Sequence, residues 1–149
     1  MSLVSQRPNG QHQVFFACSY AKKDHAVTDA LSDVYRAFGY KLNRGDVVYA
    51  DSVSKKVVGL IRDCSLFVGV FTCNEVLSSG KYNTSPWVNQ EATYALLLKK
   101  RMILYVETGV ALGGIFGDHE FIAFRRRNLT DAIVRTVQIL APPNAGSER

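Results

Sequence analysis

One carboxylate among apolar residues is the feature of this sequence that could carry out chemistry. Glu91 follows Trp87 by four residues, so a helix would place the two side chains on one face. The other apolar positions of that face, at helical spacing, are Tyr94, Ala95 and Leu98. Removing a carboxylate from water raises its pKa and costs free energy unless a partner or a ligand compensates. Glu91 is therefore a candidate catalytic or ligand-binding residue.

Glu91 also has an ordinary interpretation. At the rim of the apolar face it would reach solvent or pair with a basic residue such as Arg62 or Lys100. Carboxylates in proteins are usually exposed or paired. On periodicity alone, this interpretation is the better supported of the two.

The helix that carries Glu91 has a clear predicted start. Ser85 is a suitable N-cap, because its hydroxyl can accept a hydrogen bond from a backbone N–H of the first turn. Pro86 suits the first helical position, where no intrahelical bond is lost. The Lys99 and Lys100 pair suits the C-terminus, so the helix is predicted to end near it.

Short apolar runs alternate with helical patterns along the rest of the chain. The predicted strands are residues 14–18, 40–42 or 47–49, 65–71, 102–106 and 120–124. The other predicted helices are capped by Asp24, by Asp51 or Ser52, and by Asn128, with a short one at 75–77. This order predicts the α/β class: a doubly wound, flavodoxin-like parallel sheet of five strands, with helices on both faces. Strand 65–71 is expected at its centre and strand 120–124 at an edge.

In such folds ligands bind beyond the carboxyl ends of the strands, where the strand order reverses. That edge gathers the turn at 19–23, the loop at 43–52 and the segment leading into Trp87. Glu91 lies about one turn into its helix, near the same edge.

Length and hydropathy indicate one soluble domain. The chain has 149 residues, and we expect a disordered leader at 1–12, the domain at 13–141 and a tail at 142–149. The apolar runs are far shorter than the roughly 20 residues that cross a bilayer, and the N-terminus lacks a signal-peptide core. We therefore expect a cytoplasmic protein with no membrane partner.

Cysteines and basic clusters indicate no further site. Cys18, Cys64 and Cys73 lack metal-binding spacing and suit small core residues in a reducing compartment, so no metal is expected. The net charge of +5 comes partly from basic clusters at 99–101 and 125–127. Short basic runs at the ends of elements are usually solvated, so we expect no nucleic-acid partner. The glycines at 109–117 lack the G-x-G-x-x-G spacing, which excludes a hydride-transfer reading.

Taken together, these features resemble the Toll/interleukin receptor (TIR) domain family over about residues 13–141. The matching parts are a first strand ending in Ser19-Tyr20, the loop before residues 51–53, the buried strand 65–72, and Trp87-x-x-x-Glu91 opening a helix. Segment 113–122 is similar to bacterial TIR-like proteins. Two departures stand out: lysines rather than arginine follow Ser19-Tyr20, and Tyr49-Ala50 replaces the usual Pro-Gly.

The resemblance implies a function. TIR domains either signal by assembly or cleave NAD between nicotinamide and ribose, and Glu91 would be the catalytic residue. Because nicotinamide leaves as a neutral base from a cationic ring, no second acid is needed, and one buried anion can stabilise an oxocarbenium-like transition state. The substrate-binding residues implied are Ser19, Tyr20, Lys22, Asp51 and Trp87. NAD would be a substrate, with no cofactor.

The resemblance also implies a biological role in bacterial immunity against phage. The partners it implies are other copies of the chain, through TIR surfaces, and fused or associated effector or sensor domains. Two alternatives remain open. One is a non-catalytic module that signals by homotypic assembly. The other is a nucleoside deoxyribosyltransferase-like enzyme, which would exchange bases on deoxynucleosides and leave NAD intact.

Overall fold

The computed structural model describes residues 12–45, 55–116 and 119–142. Its strands are Gln13–Ala17 (β1), Lys41–Asn43 (β2), Leu66–Phe71 (β3), Met102–Glu107 (β4) and Ile122–Phe124 (β5). Its α-helices are His25–Ala37 (α1), Lys55–Asp63 (α2), Pro86–Leu97 (α3) and Thr130–Leu140 (α4). All strand pairs are parallel, in the order β2-β1-β3-β4-β5. The predicted flavodoxin-like fold, with β3 at its centre and β5 at an edge, is confirmed.

The sheet is covered on both faces because its strands are apolar on both faces. Val68 and Val70 of β3 belong to the layer that includes α1 and α4. Phe67 and Phe71 alternate with them and belong to the layer that includes α2 and α3. Every residue of β3 is buried. The site helix α3 is thus held against the centre of the sheet.

Several local predictions were wrong. Asp24 precedes α1 and Ser85 precedes α3 as expected, but neither side chain makes a capping hydrogen bond. Residues 75–77 form no helix, because Val76 bridges Tyr82 in an antiparallel turn instead. Asn128 does accept a hydrogen bond from the Thr130 N–H at 3.2 Å, at the start of α4.

Some predictions lie outside the described residues. They include the alternative strand at 47–49, the cap at Asp51 or Ser52, the leader except His12 and the tail beyond Pro142. In the part of the chain that is described, no helix has the length and apolar character needed to cross a bilayer.

Candidate functional site

Glu91 is buried in α3, with 2% of its surface exposed. Its neighbours on the buried face of the helix are Val88, Ala92 and Ala95. The predicted neighbours Tyr94 and Leu98 are exposed, so that part of the expected apolar face is wrong. The ordinary interpretation also fails: Lys100 donates to the carbonyl oxygen of Arg62 at 2.9 Å, and Glu91 makes no ion pair within the described chain.

Gly45 lies directly against the Glu91 carboxylate. A Cβ atom built on Gly45 would overlap Glu91 Oε2 and would come within 3.4 Å of Val57. The Gly45 carbonyl accepts a hydrogen bond from the Tyr20 hydroxyl. The turn after β1, the segment after β2 and helix α3 therefore meet at Glu91, at the carboxyl ends of β1 and β2. The strand order reverses beside them, between β1 and β3.

Burial changes the acidity of Glu91. It raises the pKa of this carboxyl from 4.5 to about 8, because the charged form loses its hydration. The indole N–H of Trp87 opposes this rise. The indole N–H does not form a hydrogen bond of normal geometry with the carboxyl, however, since both Trp87 Nε1 and Glu91 Oε2 lack a hydrogen-bond partner in the described structure. At neutral pH the carboxyl is therefore mainly protonated until a cation approaches it.

Unsatisfied polar atoms are concentrated in the part of the sequence that leads to Glu91. Among the described residues, the buried side-chain polar atoms without a hydrogen-bond partner are Arg44 Nε, Thr84 Oγ1, Trp87 Nε1, Gln90 Oε1 and Glu91 Oε2. All but the first belong to residues 84–91. Native proteins leave few such atoms unsatisfied, so a cluster of them needs a physical explanation.

The other predicted site residues have different surroundings. The Ser19 hydroxyl accepts the Ala21 N–H at 3.1 Å, which closes the turn after β1. Lys22 is exposed in the 3-10 turn Lys22–Asp24. Asp51 lies outside the described residues. The described structure thus places Trp87 beside Glu91 and connects Tyr20 to Glu91 through Gly45. It shows no contact of Ser19 or Lys22 with Glu91.

Sequence reasoning missed a second polar cluster at the same edge of the sheet. Arg126 donates from Nε and Nη2 to the two carboxylate oxygens of Glu107, at 2.7 and 2.8 Å. Its Nη2 also donates to Asp24 Oδ1 at 2.9 Å, while the Thr72 hydroxyl donates to Asp24 Oδ2 at 3.1 Å. Both carboxylates are buried. The available signal was weak: Glu107 directly follows an apolar strand run, and Arg126 is the middle of three arginines.

The carboxyl groups of the second cluster have pKa values shifted in the opposite direction to that of Glu91. Burial is the largest single influence and would raise the pKa values of Asp24 and Glu107. Their hydrogen bonds, of which those from Arg126 are the strongest, together outweigh burial and hold both pKa values below the ordinary ones. A cleft of about 460 Å³ opens beside it, lined by Thr108, Asn128 and the three arginines at 125–127 as well as Glu107. Within the described residues, no group of three or more His, Cys, Asp or Glu could hold a metal.

No protein-family model matches this chain, and no curated protein matches it either. Among solved structures it is similar to the CMP N-glycosidase BcmB of Clostridium botulinum, with a TM-score of 0.64 and 17% sequence identity. The likeness covers 85% of this chain and 98% of that one. At this identity it shows a shared fold.

The contact between Gly45 and Glu91 leads to a first prediction. Gly45→Ala is expected to lower the free energy of unfolding by about 1–3 kcal/mol, because its methyl group has no room beside the buried carboxyl. Chemical denaturation measures this. Gly113→Ala is the control, since a Cβ there meets nothing within 4 Å. Equal stability of the two variants would show that the segment after β2 does not pack on Glu91 in solution.

Proposed function

We propose that this chain is a cytoplasmic, TIR-like enzyme that cleaves the bond between nicotinamide and ribose in NAD, with Glu91 as its catalytic residue. The observation that carries the proposal is a buried carboxyl with an unpartnered oxygen at the ligand-binding edge of a doubly wound sheet. The family resemblance supplies the substrate and the reaction. It also supplies the proposed self-association, the fused or associated sensor or effector domains and the role in bacterial defence against phage.

The electrostatics of the site suit a cationic leaving group. A positively charged nicotinamide ring beside Glu91 favours the ionised carboxylate and lowers the pKa that burial has raised. Bond cleavage then moves positive charge from the nicotinamide ring to the ribose. A carboxylate in a site shielded from water stabilises that charge more strongly than water does. Nicotinamide departs as a neutral molecule and needs no proton, so one carboxylate is sufficient. Water then adds to the cationic ribose carbon and releases a proton, which gives ADP-ribose, or a nucleophilic atom of the same molecule adds and gives a cyclised form.

A second substrate class is favoured by the likeness to the CMP N-glycosidase. In a pyrimidine nucleoside monophosphate the base is neutral, and it leaves well only if it gains a proton. A carboxyl whose pKa is about 8 is mainly protonated at pH 7 and can donate that proton. The same residue would then act as a general acid rather than as an anion.

The pH dependence of kcat/KM separates these two roles. Cleavage of NAD by the ionised carboxylate is expected to rise about tenfold per pH unit and to level off above the pKa of about 8. Cleavage of CMP by the protonated carboxyl is expected to be level below that pKa and to fall above it. Release of nicotinamide and of cytosine by the purified chain, followed chromatographically, provides both profiles.

The same assay tests the proposal against a non-catalytic assembly module. It is repeated over a wide range of protein concentrations, because an enzyme whose activity depends on self-association gains specific activity as it assembles. Release of neither base at any concentration, together with concentration-dependent oligomers, would overturn the enzymatic proposal. Base exchange on deoxynucleosides with NAD left intact would instead identify the deoxyribosyltransferase-like alternative.

A further inference from the structure

The first turns of α3 present several unsatisfied polar atoms on one side. At about 100° per residue, Trp87, Gln90 and Glu91 lie within an arc of about 100° around the helix axis. Thr84 directly precedes the N-cap residue Ser85. Each of the four side chains has a buried polar atom without a hydrogen-bond partner in the described structure. Such an arrangement costs free energy in the unliganded protein, and a ligand that pairs with these atoms recovers it.

The chemical types of these atoms indicate the ligand. Gln90 Oε1 is an acceptor, and a hydroxyl of the ligand can also donate to the carboxylate oxygen Glu91 Oε2. The Thr84 hydroxyl both donates and accepts, and the Trp87 indole N–H donates. A sugar with adjacent hydroxyls supplies matching donors and acceptors, whereas a phosphate, which offers mainly acceptors at neutral pH, leaves the two carbonyl-type oxygens unpaired.

We propose that Thr84 and Gln90 are positioning residues that bind the ribose hydroxyls beside Glu91, so that the site selects ribosyl over 2-deoxyribosyl ligands. This inference rests on the proposed function, in which Glu91 acts at the sugar of a nucleotide. A 2-deoxy sugar has one hydroxyl fewer and leaves one acceptor buried without a donor. Sites built to pair with a hydroxyl reject the analogue that lacks it.

Binding requires a movement of the Gly45 backbone. The unpartnered atoms are closed off from water, and Gly45 covers Glu91 Oε2. The hydrogen bond from the Tyr20 hydroxyl to the Gly45 carbonyl connects this backbone to the turn after β1. A sugar that enters therefore replaces the Gly45 backbone as the neighbour of the carboxyl.

The single tryptophan provides a direct test, because Trp87 is the only Trp in the chain and belongs to the site. Ribose 5-phosphate and 2-deoxyribose 5-phosphate are titrated into the full chain while tryptophan fluorescence is recorded. The variants are Thr84→Val and Gln90→Met, which keep side-chain size and remove the polar atoms. The controls are Thr93→Val, whose hydroxyl already donates to the Asn89 carbonyl at 2.8 Å, and Gln138→Met on the exposed side of α4.

The wild-type chain is expected to bind the ribose compound about tenfold more tightly than the deoxyribose compound or better. Thr84→Val and Gln90→Met are each expected to lose most of this preference, whereas both controls keep it. The thermal midpoint of Thr84→Val is expected to match or exceed that of the wild type, because an unsatisfied buried hydroxyl has been removed. A residue with a merely structural role would change the midpoint and not the sugar preference.

Equal affinity of the wild type for the two sugars, no fluorescence response to either, or full preference in both variants would overturn this inference. NAD cleavage by the same preparations separates it from the proposed function. Sugar preference without turnover supports the ribose site and overturns the proposed reaction. Turnover with an unchanged KM in Thr84→Val and Gln90→Met overturns the ribose site alone.

Discussion

Glu91→Gln is expected to reduce kcat/KM for NAD by about a hundredfold or more, because the amide has the shape of the carboxylate without its charge. Removing one preorganised charge or dipole from an active site commonly has an effect of this size. Chromatographic measurement of nicotinamide release gives the rate. Glu120→Gln is the matched control, since Glu120 is exposed and its variant should retain full activity. Wild-type turnover by Glu91→Gln would rule out a catalytic role for this residue.

The same substitution is expected to stabilise the fold above about pH 5. The folded-state pKa of Glu91, about 8, exceeds its ordinary value of 4.5, so the folded chain holds a proton that the unfolded chain releases. The contribution of Glu91 to wild-type stability is therefore fully present below pH 4.5 and falls as the pH rises towards 8, by about 1.4 kcal/mol per pH unit. Glutamine does not titrate and removes this slope. Urea unfolding at several pH values tests this, and a stable but inactive variant separates loss of chemistry from loss of structure.

Helical spacing marked Glu91 as a candidate buried carboxylate, although periodicity alone favoured an exposed or paired side chain, and its neighbours could be predicted only in part. The expected face was built on Trp87, whereas the observed one is built on Val88, one residue or about 100° further around the helix. Glu91 and Ala95 belong to both faces. Helical spacing thus identified Glu91 as a candidate but misplaced the centre of the buried face of α3, because nothing in the local pattern shows which side of α3 meets the sheet.

The errors in helix capping have a long-range cause. Asp24 is a suitable N-cap by local rules, yet its carboxylate accepts hydrogen bonds from Thr72 and Arg126 instead. Those partners are 48 and 102 residues away in sequence, so only the fold brings them together. Gly45 is similar: the sequence left open whether the second strand lies before it, at 40–42, or after it, at 47–49, and its contact with Glu91 depends on how the fold brings the end of β2 to α3.

Arg126→Met is expected to lower the free energy of unfolding by about 3 kcal/mol at neutral pH, because it leaves two buried carboxylates without their main cation. Among the described residues, Asp24 would keep Lys23, at 3.2 Å, as its one cationic partner. Glu107 would keep the Cys73 backbone N–H, at 2.9 Å. Chemical denaturation measures the loss. Arg127→Met is the matched control, because Arg127 is adjacent in sequence and exposed.

The stability that Arg126 contributes depends on pH in the opposite direction to the stability that Glu91 contributes. The lowered pKa values of Asp24 and Glu107 stabilise the wild-type fold above their ordinary values of 3.8 and 4.5, and this stability is lost as the pH falls through the folded values. The deficit of Arg126→Met should therefore shrink in acid, where protonated carboxyls need no cation. Adding Asp24→Asn and Glu107→Gln to Arg126→Met should recover stability at neutral pH for the same reason. Equal unfolding midpoints for Arg126→Met and Arg127→Met would show that the cluster contributes nothing to the fold, and its arginine would then be free to bind a ligand in the adjoining cleft.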